Sequence, residues 1–158
     1  MHPRAGEFAE AARERYGFDP DVHQFGAGTR TAEAAAGAVG CDVAQIASSL
    51  AFEADGELVV VVTSGANRVS ESKLADALGV PEGTVGMADA DRVKSELGWS
   101  IGGVPPICHA SAVPVYLDET LLEYGEVWAA AGTPEAVFPV APGRIRELAD
   151  ATPADVAE

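Results

Sequence analysis

The stretch GWSIGGVPPICH, residues 98–109, places two adjacent glycines, two adjacent prolines, a cysteine and a histidine in one run. The paired prolines exclude a helix interior and a central strand, so this is a loop. Glycines let a main chain approach a ligand closely and prolines stiffen it. Gly102, Gly103, Val104, Pro105 and Pro106 could therefore form an amide cradle for a carbonyl or a developing oxyanion. A rigid turn is the other reading of the same residues. Cys108 and His109 are neighbours, but side chains of adjacent residues in extended chain project apart, and no third group stands ready to orient the imidazole. A cysteine nucleophile is not expected. His109 reads as a hydrogen-bond donor to a ligand beside the cradle, or as a structural histidine.

Two further groups carry polar chemistry. Thr63–Arg68 (TSGANR) follows a strongly apolar run, and the end of a strand is where ligands often bind in α/β folds. Asn67 and Arg68 would donate there to a phosphate or carboxylate, unless the segment only turns the chain into a helix. Ser48 and Ser49 interrupt the apolar IASSLAF. They face opposite sides of a strand, so one hydroxyl points inward, where it would ordinarily bond to neighbouring backbone.

The elements that position these residues are legible from spacing. Phe8, Ala12 and Tyr16 predict an amphipathic helix over 4–16, ended by Gly17. VHQF, 22–25, is a short strand. Thr29–Arg30–Thr31 leads into a second helix, with Thr31 as N-cap, running to about Val39 before Gly40. Gln45–Phe52 and LVVVVTSG form a hairpin around Asp55–Gly56, and the continuous apolar run makes the second strand central in its sheet. Ser70 and Gly79 bracket a third helix, and Asp89 and Gly98 a fourth. A strand over 112–118, a strand pair over 126–140 and a helix started by Pro142 follow. The expected fold is α/β (α+β): a mixed, mostly antiparallel central sheet or barrel surrounded by helices.

Length and composition agree with one domain over residues 1–158, with 47% hydrophobic and 22% charged residues. No run is long enough to span a bilayer and the N-terminus lacks the apolar core of a signal peptide, so a cytoplasmic protein with no membrane partner is expected. Two cysteines and three scattered histidines offer no zinc spacing, so no metal and no cofactor is expected. The 25 acidic against 10 basic side chains give a net charge of −15, with Lys73 and Lys94 the two lysines. The acids are spread along the chain, which fits adaptation to high salt better than a basic partner. Such a charge disfavours DNA or RNA held by phosphate neutralisation, although in molar salt counterion release contributes little and shape and local bonds must serve.

The order TAEAAAGAVG, IASSLAF, a strand ending in SGANR, KLADALG, IGGVPP, VYLDETLL, EVWAAAG and a final helix resembles the YbaK/ProX family of aminoacyl-tRNA editing domains, over about residues 20–156. That resemblance implies a trans-acting deacylase, one that hydrolyses the ester of a mischarged tRNA bearing alanine, cysteine or another small amino acid on a tRNA(Pro)-like acceptor. A synthetase is a further possible partner. The family's Gly-x-x-x-Pro loop falls on Gly102–Pro106, whose amides would line the aminoacyl pocket.

The resemblance also marks a departure. The family's functional lysine falls on Ser48, while the hydroxyl after it is kept as Ser49. The chain is thus similar to the lysine-free members, in which a histidine follows the prolines, and His109 would partly replace what Ser48 lacks. Catalytic weight is expected on Gly102, Gly103, His109 and Ser48. Substrate contacts are expected from Thr31, Ser49, Asn67, Arg68, Val104, Pro105 and Pro106, and from Ala130 and Gly132, where some members read Ser-Gly-Gly. No general base is identifiable, and the family suggests substrate-assisted proton transfer. The alternative is a binding module for tRNA ends or nucleotides that lost catalysis with the lysine.

Overall fold

The computed structural model describes residues 2–25 and 31–158; the expected lead-in at Thr29 and Arg30 lies outside them. In chain order the elements are α1 (Pro3–Tyr16), β1 (His23–Gln24), α2 (Ala32–Val39), β2 (Ile46–Ala54), β3 (Glu57–Ser64), α3 (Glu71–Leu78), β4 (Val85–Met87), α4 (Ala90–Leu97), β5 (Val115–Asp118), β6 (Val127–Ala130), β7 (Ala136–Val140), α5 (Pro142–Ala149) and β8 (Thr152–Ala154). Local chemistry explains the boundaries. The hydroxyls of Thr31 and Ser70 each accept an amide at 3.1 Å, from Ala34 and Lys73. The Asp89 carboxylate accepts the Asp91 amide at 2.9 Å. Gly17, Gly40, Gly79 and Gly98 end their helices in the left-handed conformation that glycine adopts without strain.

The strands form a mixed sheet in the order β1-β7-β6-β2-β3-β5-β8, with β4 also paired to β2. Antiparallel pairings outnumber parallel ones, four to three, among the described residues. β3 lies between β2 and β5 and is buried from Leu58 to Ser64, as its apolar run predicts. The sequence reading missed β4 and β8, three residues each, and started β5 three residues early.

The decisive feature is on β2. One of its edges pairs with β6 at Ile46–Ala47 and with β4 at Phe52–Ala54. The Ala88 amide extends the second pairing to the Ala51 carbonyl at 3.0 Å. Between these partners the edge at Ser48–Leu50 meets no strand among the described residues. Alternation along the strand sets Ala47, Ser49 and Ala51 toward the larger core, which holds Phe8, Val62, Trp99, Leu117 and Phe138. Ile46, Ser48, Leu50 and Phe52 face the other side, with Phe52 against Val59, Val61 and Leu74.

Candidate active-site cleft

A cleft of about 230 Å³ opens along the unpaired edge of β2. Its walls are α2 (Thr31, Ala32, Ala35), β2 from Ile46 to Ala51, the start of α4 at Ala88 and Val93, the loop residues Gly102 and Val104, and the β6–β7 pair at Trp128, Ala130, Ala136 and Val137. Met87 and Ile101, both exposed, are part of the same lining. No described lining residue is charged or titratable. The described lining thus offers hydrogen bonds and shape.

Polar contacts are few and unspent. The Ser49 hydroxyl is buried and has no hydrogen-bond partner among the described residues. A buried hydroxyl without a partner costs about 1–3 kcal/mol, so a ligand that bonds to it recovers that cost on binding. Ser48 also lines the cleft. The Thr31 hydroxyl accepts the Ala34 amide and keeps its proton to donate. On the loop opposite, the amides of Gly102 and Val104 have no partner among the described residues, whereas Gly103 N–H donates to the Ser100 carbonyl at 3.0 Å.

This corrects the expected cradle. The available amides are those of Gly102 and Val104, because Gly103 spends its own on a turn within the loop. Gly103 is needed for another reason: a Cβ there would lie 2.8 Å from Thr133 Cα and 2.9 Å from its nitrogen, so the loop packs directly on the β6–β7 turn. Gly102 adopts φ +89°, a conformation that other residues enter only with strain. Pro105 and Pro106 are buried and do not line the cleft.

His109 is not in the cleft either. The loop folds back, and the buried ring donates from Nε2 to the Pro105 carbonyl at 2.8 Å, bracing the segment from behind. It borders a separate cavity of about 310 Å³, with Arg15 and Tyr16, on the far side of the loop. Burial holds the imidazole below its ordinary pKa, with Arg15 adding to the effect and the Pro105 bond opposing it. Cys108 is buried with φ +67°, and burial pushes its thiol up to about 11, which leaves no thiolate for nucleophilic attack.

Asn67 is likewise committed. Its Nδ2 donates to Asp118 Oδ2 at 3.0 Å and to Thr120 Oγ1 at 3.1 Å. Asp118 also accepts Thr63 Oγ1 at 3.1 Å, Ser64 N–H at 3.2 Å and Thr120 N–H at 3.0 Å. Burial alone would raise that carboxyl, but the bonds from Asn67, Thr120 and Ser64 outweigh it and hold the pKa below the usual value. Arg68 is exposed, and its guanidinium has no partner among the described residues. It lines a second, more polar cavity of about 610 Å³ that shares Leu50 and Met87 with the cleft. Ala130 lines the cleft, whereas Gly132 lies behind it: a Cβ there would meet Trp99 Cζ3 at 2.7 Å and the Arg4 carbonyl at 2.8 Å. The sequence reading missed Met87, Ile101, Trp128 and Pro134, because apolar residues on short strands and turns carry no chemical signature of their own.

Comparison with known proteins follows the same lines. The family model described as an aminoacyl-tRNA editing domain matches residues 27–148. The uncharacterized protein YwhH of Bacillus subtilis (strain 168) is 30% identical over 129 residues, covering 81% of this chain and 80% of YwhH. The proline--tRNA ligase of Lysinibacillus sphaericus (strain C3-41) is 33% identical over 78 residues, which is 49% of this chain but 13% of the ligase. A solved structure described as a candidate trans-editing enzyme for prolyl tRNA synthetase superposes with a TM-score of 0.93 at 39% identity, covering 100% of this chain and 99% of that one. Hypothetical protein APE2540 superposes with a TM-score of 0.85 at 26% identity, covering 96% and 99%.

Proposed function

The chain belongs to the aminoacyl-tRNA editing domain family, and from that premise we propose that it is a trans-acting deacylase for tRNA carrying a small amino acid. The observation that carries this reading is a mostly apolar cleft whose polar groups are the Thr31, Ser48 and unpartnered Ser49 hydroxyls together with the unspent amides of Gly102 and Val104. Alanines at 32, 35, 47, 51, 88, 130 and 136 are part of the walls, beside larger apolar residues such as Leu50 and Trp128, and the space of about 230 Å³ suits a small aminoacyl side chain.

In this mechanism water adds to the ester carbonyl carbon, and the oxygen that becomes negative is held by the loop amides. Ser49 and Thr31 orient the aminoacyl group, and Ser48 stands at the position onto which the family resemblance maps a lysine. The water proton passes to a group of the substrate, since no described lining residue can take it. The C–O bond to the ribose then breaks, and the leaving oxygen is protonated to give free amino acid and tRNA. Arg68, on the adjoining cavity, takes a phosphate of the acceptor end. A synthetase releasing mischarged tRNA is the matching partner.

A second reading keeps the cleft as a binding module for tRNA ends, favoured by Ser48 in place of a cation. The test is a panel of tRNAs mischarged with Ala, Cys, Ser, Thr and 2-aminobutyrate, followed for ester loss in high salt. Accelerated loss of at least one supports the deacylase. Measurable tRNA binding with no acceleration on any of them establishes the binding module instead.

A further inference from the structure

The loop that carries the cleft amides is held at both ends by α1, a helix that precedes the residues matched by the editing-domain family. At the entrance, the Arg4 guanidinium bonds to the Gly98 carbonyl and lies 4.3 Å from the centroid of the Trp99 ring. Phe8 meets the same indole edge-on, with ring centroids 6.3 Å apart. At the exit, the Tyr16 hydroxyl accepts the Cys108 N–H at 3.3 Å, and Arg15 donates to the His109 carbonyl at 3.1 Å. Trp99 closes the span by donating from Nε1 to the Cys108 carbonyl at 2.9 Å. Gly98 turns the chain at the entrance without strain, whereas Cys108 is a non-glycine residue in the left-handed region, so the exit is a bend held by its surroundings.

We propose that α1 is a clamp that sets the position of the Gly102 and Val104 amides, with Arg15 and Tyr16 as positioning residues for ester hydrolysis. The inference rests on the deacylase reading for its catalytic consequence, but the mechanical part stands by itself. The anchors lie on the side of the loop away from the cleft: Arg15, Tyr16 and His109 border the rear cavity, while Gly102 and Val104 border the cleft. A displacement of roughly 1 Å at donors aimed at a transition-state oxygen costs up to about a hundredfold in rate, so a clamp of this kind acts on kcat more than on substrate binding.

The test uses Tyr16→Phe, Arg15→Ala and the rescue variant Arg15→Lys, each read in two ways. Amide hydrogen exchange at Gly103, whose N–H is bonded within the loop, is compared with Val60–Val62 in β3. Deacylation of alanyl-tRNA(Pro), or of whichever tRNA in the mischarged panel the wild type hydrolyses, gives kcat and KM. The clamp predicts exchange at Gly103 at least about tenfold faster in Tyr16→Phe and Arg15→Ala with β3 unchanged, kcat down by about tenfold, KM within about twofold, and recovery in Arg15→Lys. Unchanged exchange at Gly103 overturns it, as does equal acceleration in β3 or faster loop exchange with kcat intact. Should the wild type hydrolyse nothing in the panel, the deacylase reading falls and the exchange comparison alone still decides whether α1 holds the loop.

Discussion

His109 and Pro105, four residues apart, are joined across the back of the loop by a bond from the imidazole Nε2 to the proline carbonyl at 2.8 Å. The histidine is thus a brace for the cleft and not part of its lining. Its buried ring is held below the ordinary histidine pKa, first by burial and then by Arg15. The unfolded chain therefore binds the proton more readily. The stability that the neutral ring contributes is complete above the unfolded value near ~6.5 and is lost as pH falls below it toward the folded value. In His109→Gln the fall in Tm between about pH 7 and pH 5 is expected to be shallower than in the wild type. Parallel melting curves across that range would show that His109 is not held neutral.

Ser49→Ala removes a hydroxyl that has no protein partner. Relief of an unsatisfied buried group predicts a Tm equal to or above that of the wild type. Deacylation is expected to fall by about tenfold, the scale of one lost hydrogen bond to substrate. A protein that keeps full activity would place Ser49 outside the reacting region.

Ser48→Lys puts a cation at the position onto which the family resemblance maps a functional lysine. The substituted residue is on the cleft wall, where an ammonium can reach a phosphate or polarise the ester. An increase in kcat/KM on alanyl-tRNA(Pro) is the expected outcome, measured beside the wild type at equal salt. No change would mean that position 48 does not face the reacting groups.

Asp118→Asn keeps the shape of the side chain and removes the charge. It turns an amide donor toward some of the four donors that converge there from Thr63, Ser64, Asn67 and Thr120. A loss of about 3 kcal/mol is expected in urea unfolding, the scale for a weakened charge-assisted network with a donor left facing a donor. In the wild type, the lowered Asp118 pKa contributes stability that is complete above the usual carboxylate value and lost as pH falls through the folded one. The variant should lack that part of the acid transition.

With a net charge of −15 the folded chain repels itself. Raising KCl from about 0.1 M to about 1 M shortens the screening length from about 10 Å to about 3 Å, so Tm should rise across that range. A Tm that is flat or falling with salt would remove electrostatic self-repulsion as a determinant of stability.

The sequence by itself determined what depends on near neighbours along the chain. Helix caps at Thr31, Ser70 and Asp89, glycine stops at 17, 40, 79 and 98, the Asp55–Gly56 turn and the buried run of β3 all follow from the conformations that a few consecutive residues can adopt. The order of such segments was enough to indicate the family, and the Gly-Pro run was recognisable as a loop. Short β4 and β8 were not legible, because three residues carry no period and exist only through their partners β2 and β5.

Tertiary structure alone decided which polar groups remain available. His109, Asn67 and Gly103 have the chemistry of ligand donors, yet each is spent on a contact within the fold, with Pro105, Asp118 and Ser100. The Ser49 hydroxyl and the Gly102 amide are left without a partner among the described residues, beside the opening that β4 and β6 leave along β2. A hydrogen-bonding group is satisfied or not according to what long-range packing brings within about 3 Å of it, and that is a property of the assembled sheet and loops, not of any local stretch of sequence.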